Sequence, residues 1–351
     1  MTRGLRRMAG VLVLALALAG GAAVAALELP YQGFQGEKFI VLKHGESTPT
    51  LARALEEWGV VRYRWQFWLA RALHPRATLQ AGEYRFAGPS SVRQVFERIA
   101  KGDIYYFEVT IPEGSNMFDI ARLLEAVGAM PAQSFLKAAA DPAPVRDLDP
   151  QAQNLEGYLF PATYRLSHAT TAADLCRTMT AEFRREWKKL APAGTGDPHH
   201  AVTLASMIEK ETGIPAERPL VASVFTNRLA LGRTLDCDPT IIYAALLDHH
   251  YRGTIYRSDL DKRSPYNTYR NAGLPPGPIA NPGAQAITAA LHPADTDYLY
   301  FVAKPSGGGH QFSSSLAAHE NAVRAYRHGS PSSKHKLNGK KSGKERISGR
   351  A

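Results

Sequence analysis

The chain has 351 residues, 44% apolar and 21% charged, which is ordinary for two or three globular units and excludes wholesale disorder. Two cysteines, Cys176 and Cys237, are too few for a disulfide scaffold or a Cys-rich zinc module. The net charge of +10 sits mostly at the ends, in Arg3, Arg6 and Arg7 and in the segment 328–351. The body between is nearly neutral, so no nucleic-acid groove is implied.

Ala9 to Leu27 is an uninterrupted apolar run of 19 residues behind those three arginines. As a helix it spans about 28 Å, close to one hydrocarbon core. Positive charge before it keeps the N-terminus in the cytoplasm and exports the rest. Two readings stand: a retained single-pass anchor, or a signal peptide cleaved near Ala23-Val24-Ala25. In both, residues from about 28 onward work outside the cytoplasm, where ATP-dependent and nicotinamide chemistry is improbable.

Lys38 to Lys43 alternates as a strand, and Leu51, Ala52, Leu55 and Trp58 have helical spacing closed by Gly59. Sixty-nine residues later the pattern returns without a gap. Val109 to Ile111 is a strand, and Ile120, Ala121, Leu124 and Val127 form a stripe closed by Gly128. Gly45, Ala52, Arg53, Leu55, Glu56 and Gly59 match Gly114, Ala121, Arg122, Leu124, Glu125 and Gly128. This is an internal repeat of a strand–turn–helix unit. Between the copies the spacing predicts a helix over 64–73, a strand over 82–86 and a helix over 92–101. Such small units resemble LysM-like carbohydrate-binding modules; a purely structural αβ subdomain fits the same pattern.

Segments 141–149 and 191–200 read as loops. Thr203 to Thr212 reads as a helix stopped at Gly213, with Leu204, Met207 and Ile208 on one face. Glu209 adjoins that face, while Glu211 lies about 200° away and is expected to meet solvent. A carboxyl group beside apolar side chains has its pKa raised, the state a general acid needs near neutral pH. A second helix follows from Pro219, ending at Gly232. The loops at 236–240, 264–269 and 273–283 are dense in Pro, Gly, Asn, Tyr, Asp and Thr, which suits a groove gripping sugar hydroxyls and amides. Asp238, beside Pro239, reads as capping the next helix. The adjacent pairs His199-His200 and His249-His250 lack the spacing of a helical zinc site, so no metal is expected. The tail from His328 is Ser/Gly/Lys-rich and is expected to be disordered.

With these stretches in place the chain resembles the membrane-anchored endolytic murein transglycosylases of the YceG-like family. The resemblance is carried by Ile111-Pro112-Glu113-Gly114, residues 155–164, 205–212, 222–229, Asp238-Pro239-Thr240, residues 264–269, 273–283 and His310-Gln311-Phe312-Ser313. It implies an α+β fold divided into a basic N-terminus (1–8), an anchor (9–27), a LysM-like region with the repeat (28–130), a catalytic domain (131–327) and a basic tail (328–351). It implies a lyase, without cofactor, that cleaves the MurNAc–GlcNAc bond of nascent peptidoglycan strands at the cell inner membrane, beside the synthesis machinery, and so terminates glycan elongation. By motif position the catalytic acid falls on Glu209. Glu156, Tyr158, Asp238, Thr240, Asn267, Tyr269, Asn281 and His310 are the expected substrate-binding residues, though for Glu156, Asn267, Tyr269 and Asn281 a bond to the loop backbone competes with substrate contact. Where the family carries Glu-His-Asn near the end of the domain, this chain has Ala318-His319-Glu320. A non-catalytic peptidoglycan-binding protein and a hydrolytic muramidase remain as alternatives. The second needs another carboxylate near Glu209, for which Asp236 and Asp238 are candidates.

Overall fold

The computed structural model describes residues 3–191 and 196–329. The expected basic tail, from residue 330 on, and the first two residues of the N-terminus lie outside the described residues. The chain forms two compact units, 1–108 with 165–170, and 109–164 with 171–351. The division therefore falls after Glu108 rather than near 130, and the second copy of the repeat belongs mostly to the second unit.

In the first unit, α1 (Arg3–Glu28) contains the apolar stretch Met8–Glu28, long and apolar enough to cross a membrane. Its side chains from Met8 to Leu18 stand exposed, as a bilayer-facing helix requires. Its last turn is tied to the globular part. Leu27 packs on the core, Gln66 Nε2 donates to the Ala26 carbonyl at 2.7 Å, and Glu28 pairs with Arg93 at 3.0 Å.

Strand β1 (Lys38–Leu42), helix α2 (Thr48–Glu57), helix α3 (Arg64–Leu73) and strand β2 (Gly82–Phe86) follow, then α4 (Val92–Lys101). β1 and β2 pair antiparallel with Ile40 opposite Tyr84. Alternation turns Ile40 and Leu42 inward, against Leu51, Leu55, Phe67, Phe96 and Ile99. Ser47 caps α2, and Ser91 with Gln94 forms a capping box on α4. The segment 165–170 is held here by Glu83, which accepts from the His168 backbone N–H at 2.9 Å.

The second copy repeats the order. Strand β3 (Phe107–Thr110), helix α5 (Met117–Ala126), helix α6 (Ala132–Ala139) and strand β4 (Thr163–Leu166) form another β-α-α-β unit, with β3 paired to β4. Thus α5 starts 69 residues after α2 in register with the sequence repeat. β4, however, comes about twelve residues late. The extra length lies in the loop between α6 and β4, which carries Glu156 and Tyr158.

The rest of the second unit is largely helical: α7 (Ala172–Leu190), α8 (Pro198–Glu211), a 3-10 turn at Pro215–Glu217, α9 (Arg218–Ala230), α10 (Asp238–Leu247), α11 (Arg257–Leu260) and α12 (Ala284–Leu291). Strands β5 (Tyr300–Ala303) and β6 (His310–Ser313) pair antiparallel, and α13 (Leu316–Gly329) packs on them. The expected loop 191–200 ends early: Asp197 accepts from the His199 backbone N–H and Pro198 opens α8, a position where its missing N–H costs nothing. Residues Ala201 to Ile208 are all buried, so α8 is the central helix, packed against α9, α10 and α12.

Candidate active site

Helix α8 delivers two glutamates from its last turn, and its surroundings treat them differently. Ser206 Oγ accepts from the Ile279 N–H at 3.0 Å, fixing the 273–283 loop along the helix. Thr212 ends the helix, its Oγ1 accepting from Ile214 N–H and donating to Glu217.

Glu209 is enclosed. Its side chain is 5% exposed, with Oε1 accepting from Arg218 at 2.7 Å and Oε2 from the Gly283 N–H at 3.0 Å. Arg218 also donates to Gln285 and lies 3.5 Å from Glu113, whose carboxylate is half exposed. Burial raises the Glu209 pKa, and the neighbouring Glu113 adds to this; the Gly283 N–H and the Arg218 guanidinium oppose it. Both carboxylate oxygens are thus taken by protein donors.

Glu211 is not in open solvent. It borders a cavity of about 370 Å³ lined also by Arg228, Leu235, Asp236, Asp238, Tyr269, Tyr300, Phe301, Leu316 and His319. That volume lies in the usual range for ligand sites, about 300–1,000 Å³. No basic side chain is paired with Glu211 among the described ion pairs; Arg228 is held by Asp236 at 2.7 Å. Burial raises the Glu211 pKa, the Cys237 thiol donates to the carboxylate and lowers it, and the Asp238 charge raises it. Beside the cavity, Tyr269 donates to Asp238 at 2.6 Å, Tyr300 and His319 stack at 5.0 Å, and the buried Nδ1 of His319 has no hydrogen-bond partner.

Tyr269 and Asp238 of the expected binding residues therefore meet at the Glu211 cavity. Asp238 is the first residue of α10 rather than its cap. The others are placed differently. Glu156, Tyr158, Thr240, Asn267 and Asn281 are at most 1% exposed, so their side chains offer no face to a glycan. Asn281 Nδ2 donates to Glu156 at 2.8 Å and to the Ser115 carbonyl at 2.9 Å, while its Oδ1 accepts from Leu159 N–H at 2.9 Å. It stitches three loops together. Glu156 also accepts from the Met117 N–H at the start of α5, and burial lifts its pKa to about 8. Tyr158 donates to Asp149. Thr240 Oγ1 donates to the Cys237 carbonyl, and Asn267 Nδ2 donates to the Leu260 and Lys262 carbonyls. The His310 ring and backbone N–H both engage Glu217 at 2.7 Å. These residues set loop shape; the cavity takes its chemistry from others. Both cysteines are buried and free. His199, of the first histidine pair, lies between Asp149 and the Pro276 carbonyl.

Comparison with known proteins agrees with this architecture. The model of the YceG-like family matches residues 40–325. The chain belongs to the YceG-like family. An endolytic murein transglycosylase of Bacillus subtilis is 32% identical over 306 residues, covering 82% of this chain and 84% of the relative. A Streptococcus pneumoniae protein of the same name is 28% identical over 317 residues, and the match spans 57% of its length. The crystal structure of a yceG-like protein from Listeria monocytogenes superposes with a TM-score of 0.52 at 31% identity, covering 81% of this chain and 98% of that one.

Within the YceG-like fold, sequence reasoning expects Glu211 to meet solvent and does not single out Arg218, Arg228, Tyr300 or Phe301. The direction assigned to Glu211 came from an apolar stripe on α8. A helix buried on every side carries no directional stripe. Tyr300 and Phe301 are neighbours on a short strand whose residues are all partly buried, so alternation carries no signal there, and only the fold brings that strand to the end of α8.

Proposed function

We propose that this chain is an endolytic murein transglycosylase, anchored by α1 and acting outside the cytoplasm on peptidoglycan strands, with Glu211 as its acid–base residue. Its relatives' names support the reaction class. One observation carries the choice of residue: Glu211 borders an aromatic-lined cavity and is held by no ion pair among the described residues, Arg228 on the same cavity being paired with Asp236, whereas both oxygens of Glu209 are already engaged by Arg218 and Gly283. The Arg218 guanidinium and the Gly283 N–H favour the charged form of Glu209, against the burial that raises its pKa. Glu209 fits a positioning role, locking the end of α8 to α9 and to the 283 turn.

The chemistry needs one carboxyl group. Glu211, whose pKa burial raises, gives its proton in the acid form to the glycosidic oxygen as the bond from MurNAc C1 breaks. The resulting carboxylate takes the proton of the C6 hydroxyl on the same MurNAc. That oxygen closes on C1, giving a 1,6-anhydro end and regenerating the acid. The nucleophile is part of the substrate and acts at high effective molarity, so no water is consumed. Tyr269, Tyr300 and Phe301 offer apolar surface for sugar rings at the cavity. Attachment to the membrane keeps the enzyme where nascent strands emerge, close to the enzymes that polymerise them.

Purified Glu211→Gln and Glu209→Gln proteins separate the two assignments. Glu211→Gln is expected to lose turnover by about 10³-fold with its fold intact. Glu209→Gln is expected to be less stable and to keep measurable turnover. Turnover within tenfold of the parent in Glu211→Gln sinks the assignment.

A further inference from the structure

We propose that the first unit rests on the membrane surface through the outward face of α3, with the lipid bilayer as its partner. The proposal rests on the reading of α1 as a retained anchor. At 100° per residue, Trp68, Ala72, Trp65, Leu69 and Leu73 fall within an arc of about 140° on α3, with no polar residue among them. Phe67 and Ala70, on the opposite side, are buried in the core. The arc itself faces outward, with Trp65, Trp68 and Leu73 at 47%, 45% and 59% exposure. Tyr63 extends it, stacked on Trp65 at 6.5 Å. Arg64 and Arg71 border one side, and Arg62 lies over the Tyr63 ring.

An apolar face of this kind on a water-soluble domain lacks a reason until its position is considered. Gln66, on the same helix, donates to the carbonyl of Ala26, two residues before the apolar run ends at Glu28. Leu27 packs into the core of the unit and Glu28 pairs with Arg93, so α1 enters the domain without a linker. α3 is therefore pinned at the level where the span leaves the hydrocarbon. Trp and Tyr concentrate at that level because their rings are apolar and their N–H or O–H can stay wet. Arginines beside them reach headgroup phosphates. The apolar arc, the aromatic belt and the pinned span together select a bilayer over a protein or a glycan. Contact through α3 as well as α1 restricts how the first unit can tilt on the membrane.

The test uses the full chain in vesicles of phosphatidylethanolamine and phosphatidylglycerol. Each of the four tryptophans is kept singly, the others replaced by Phe. Lipids brominated on the acyl chain are expected to quench Trp65 and Trp68 about twofold or more, and to leave Trp58 and Trp187 unchanged. Aqueous iodide should quench the exposed Trp58 and spare Trp65 and Trp68, while Trp187, buried in the protein, answers to neither quencher. Trp65 and Trp68 open to iodide and untouched by brominated lipid, in a chain that floats with the vesicles, overturn the proposal. So does shielding of these two residues by added glycan strands without lipid quenching, which marks a sugar platform instead. A chain that alkaline washing strips from vesicles removes the anchor, and the proposal with it, leaving the catalytic reading untouched.

Discussion

Glu156 makes the stability of the second unit depend on pH in a way that can be worked out in advance. Its carboxyl group is buried at the start of α5, with an ordinary value of 4.5 lifted to about 8 by burial, against the Met117 N–H that favours the charged form. Between those values the folded chain holds a proton that the unfolded chain has lost. Stability from this group is therefore full below pH 4.5 and is lost as pH rises toward 8. At about 1.4 kcal/mol per pH unit, the loss totals ~5 kcal/mol. Glu156→Gln removes the titration while keeping the contacts. An amide oxygen in the Oε1 place still accepts from Asn281 and Met117. The assay is urea unfolding at a series of pH values, read from Trp187 with Trp58, Trp65 and Trp68 replaced by Phe. The parent is expected to weaken between pH 5 and 9 by several kcal/mol more than Glu156→Gln. Parallel curves for the two proteins over that range would refute the reasoning.

Other expectations follow from the same contacts. Cys237→Ala removes the thiol that donates to Glu211, so the Glu211 pKa rises and the alkaline limb of the rate profile moves to higher pH. Asp238→Asn removes a like charge beside Glu211 and moves that limb to lower pH, which the same pH–rate series reads. Gly157→Ala should destabilise the second unit by about 3 kcal/mol or more. Gly157 has φ of 89°, and an added Cβ would lie 2.5 Å from Pro278 and 2.8 Å from Val202; thermal unfolding measures the loss. Asn281→Ala leaves the buried Leu159 N–H unpaired and frees Glu156, costing ~3 kcal/mol in the same assay.

Most of the local architecture was legible in the sequence because it rests on short-range rules. The helices over 64–73 and 92–101, the strand over 82–86 and the 69-residue repeat stand where spacing placed them. The repeat proved deeper than its strand–turn–helix signal, since each copy closes into a β-α-α-β unit. The second closing strand escaped notice because the Glu156 loop delays it. The neighbourhood of the candidate site was legible in the sequence; which of its side chains are buried was not. Tyr269 and Asp238 do reach a cavity. Asn267, Asn281, Thr240 and Tyr158 look like sugar-binding residues in a linear reading, yet irregular loops need buried hydrogen-bonding side chains of the same types to satisfy their own backbone. The two glutamates of α8 differ only in what packs around them, and that is a long-range property.

The most direct measurement is the mass of the glycan fragments released from uncross-linked peptidoglycan strands by the full-length protein, beside its Glu211→Gln and Glu209→Gln forms. The account predicts fragments ending in 1,6-anhydro-MurNAc from the parent, traces of the same product from Glu209→Gln, and none from Glu211→Gln. Fragments one water heavier, ending in reducing MurNAc, would contradict the transglycosylase mechanism. Anhydro ends from Glu211→Gln at the parent's rate would contradict the assignment of the acid.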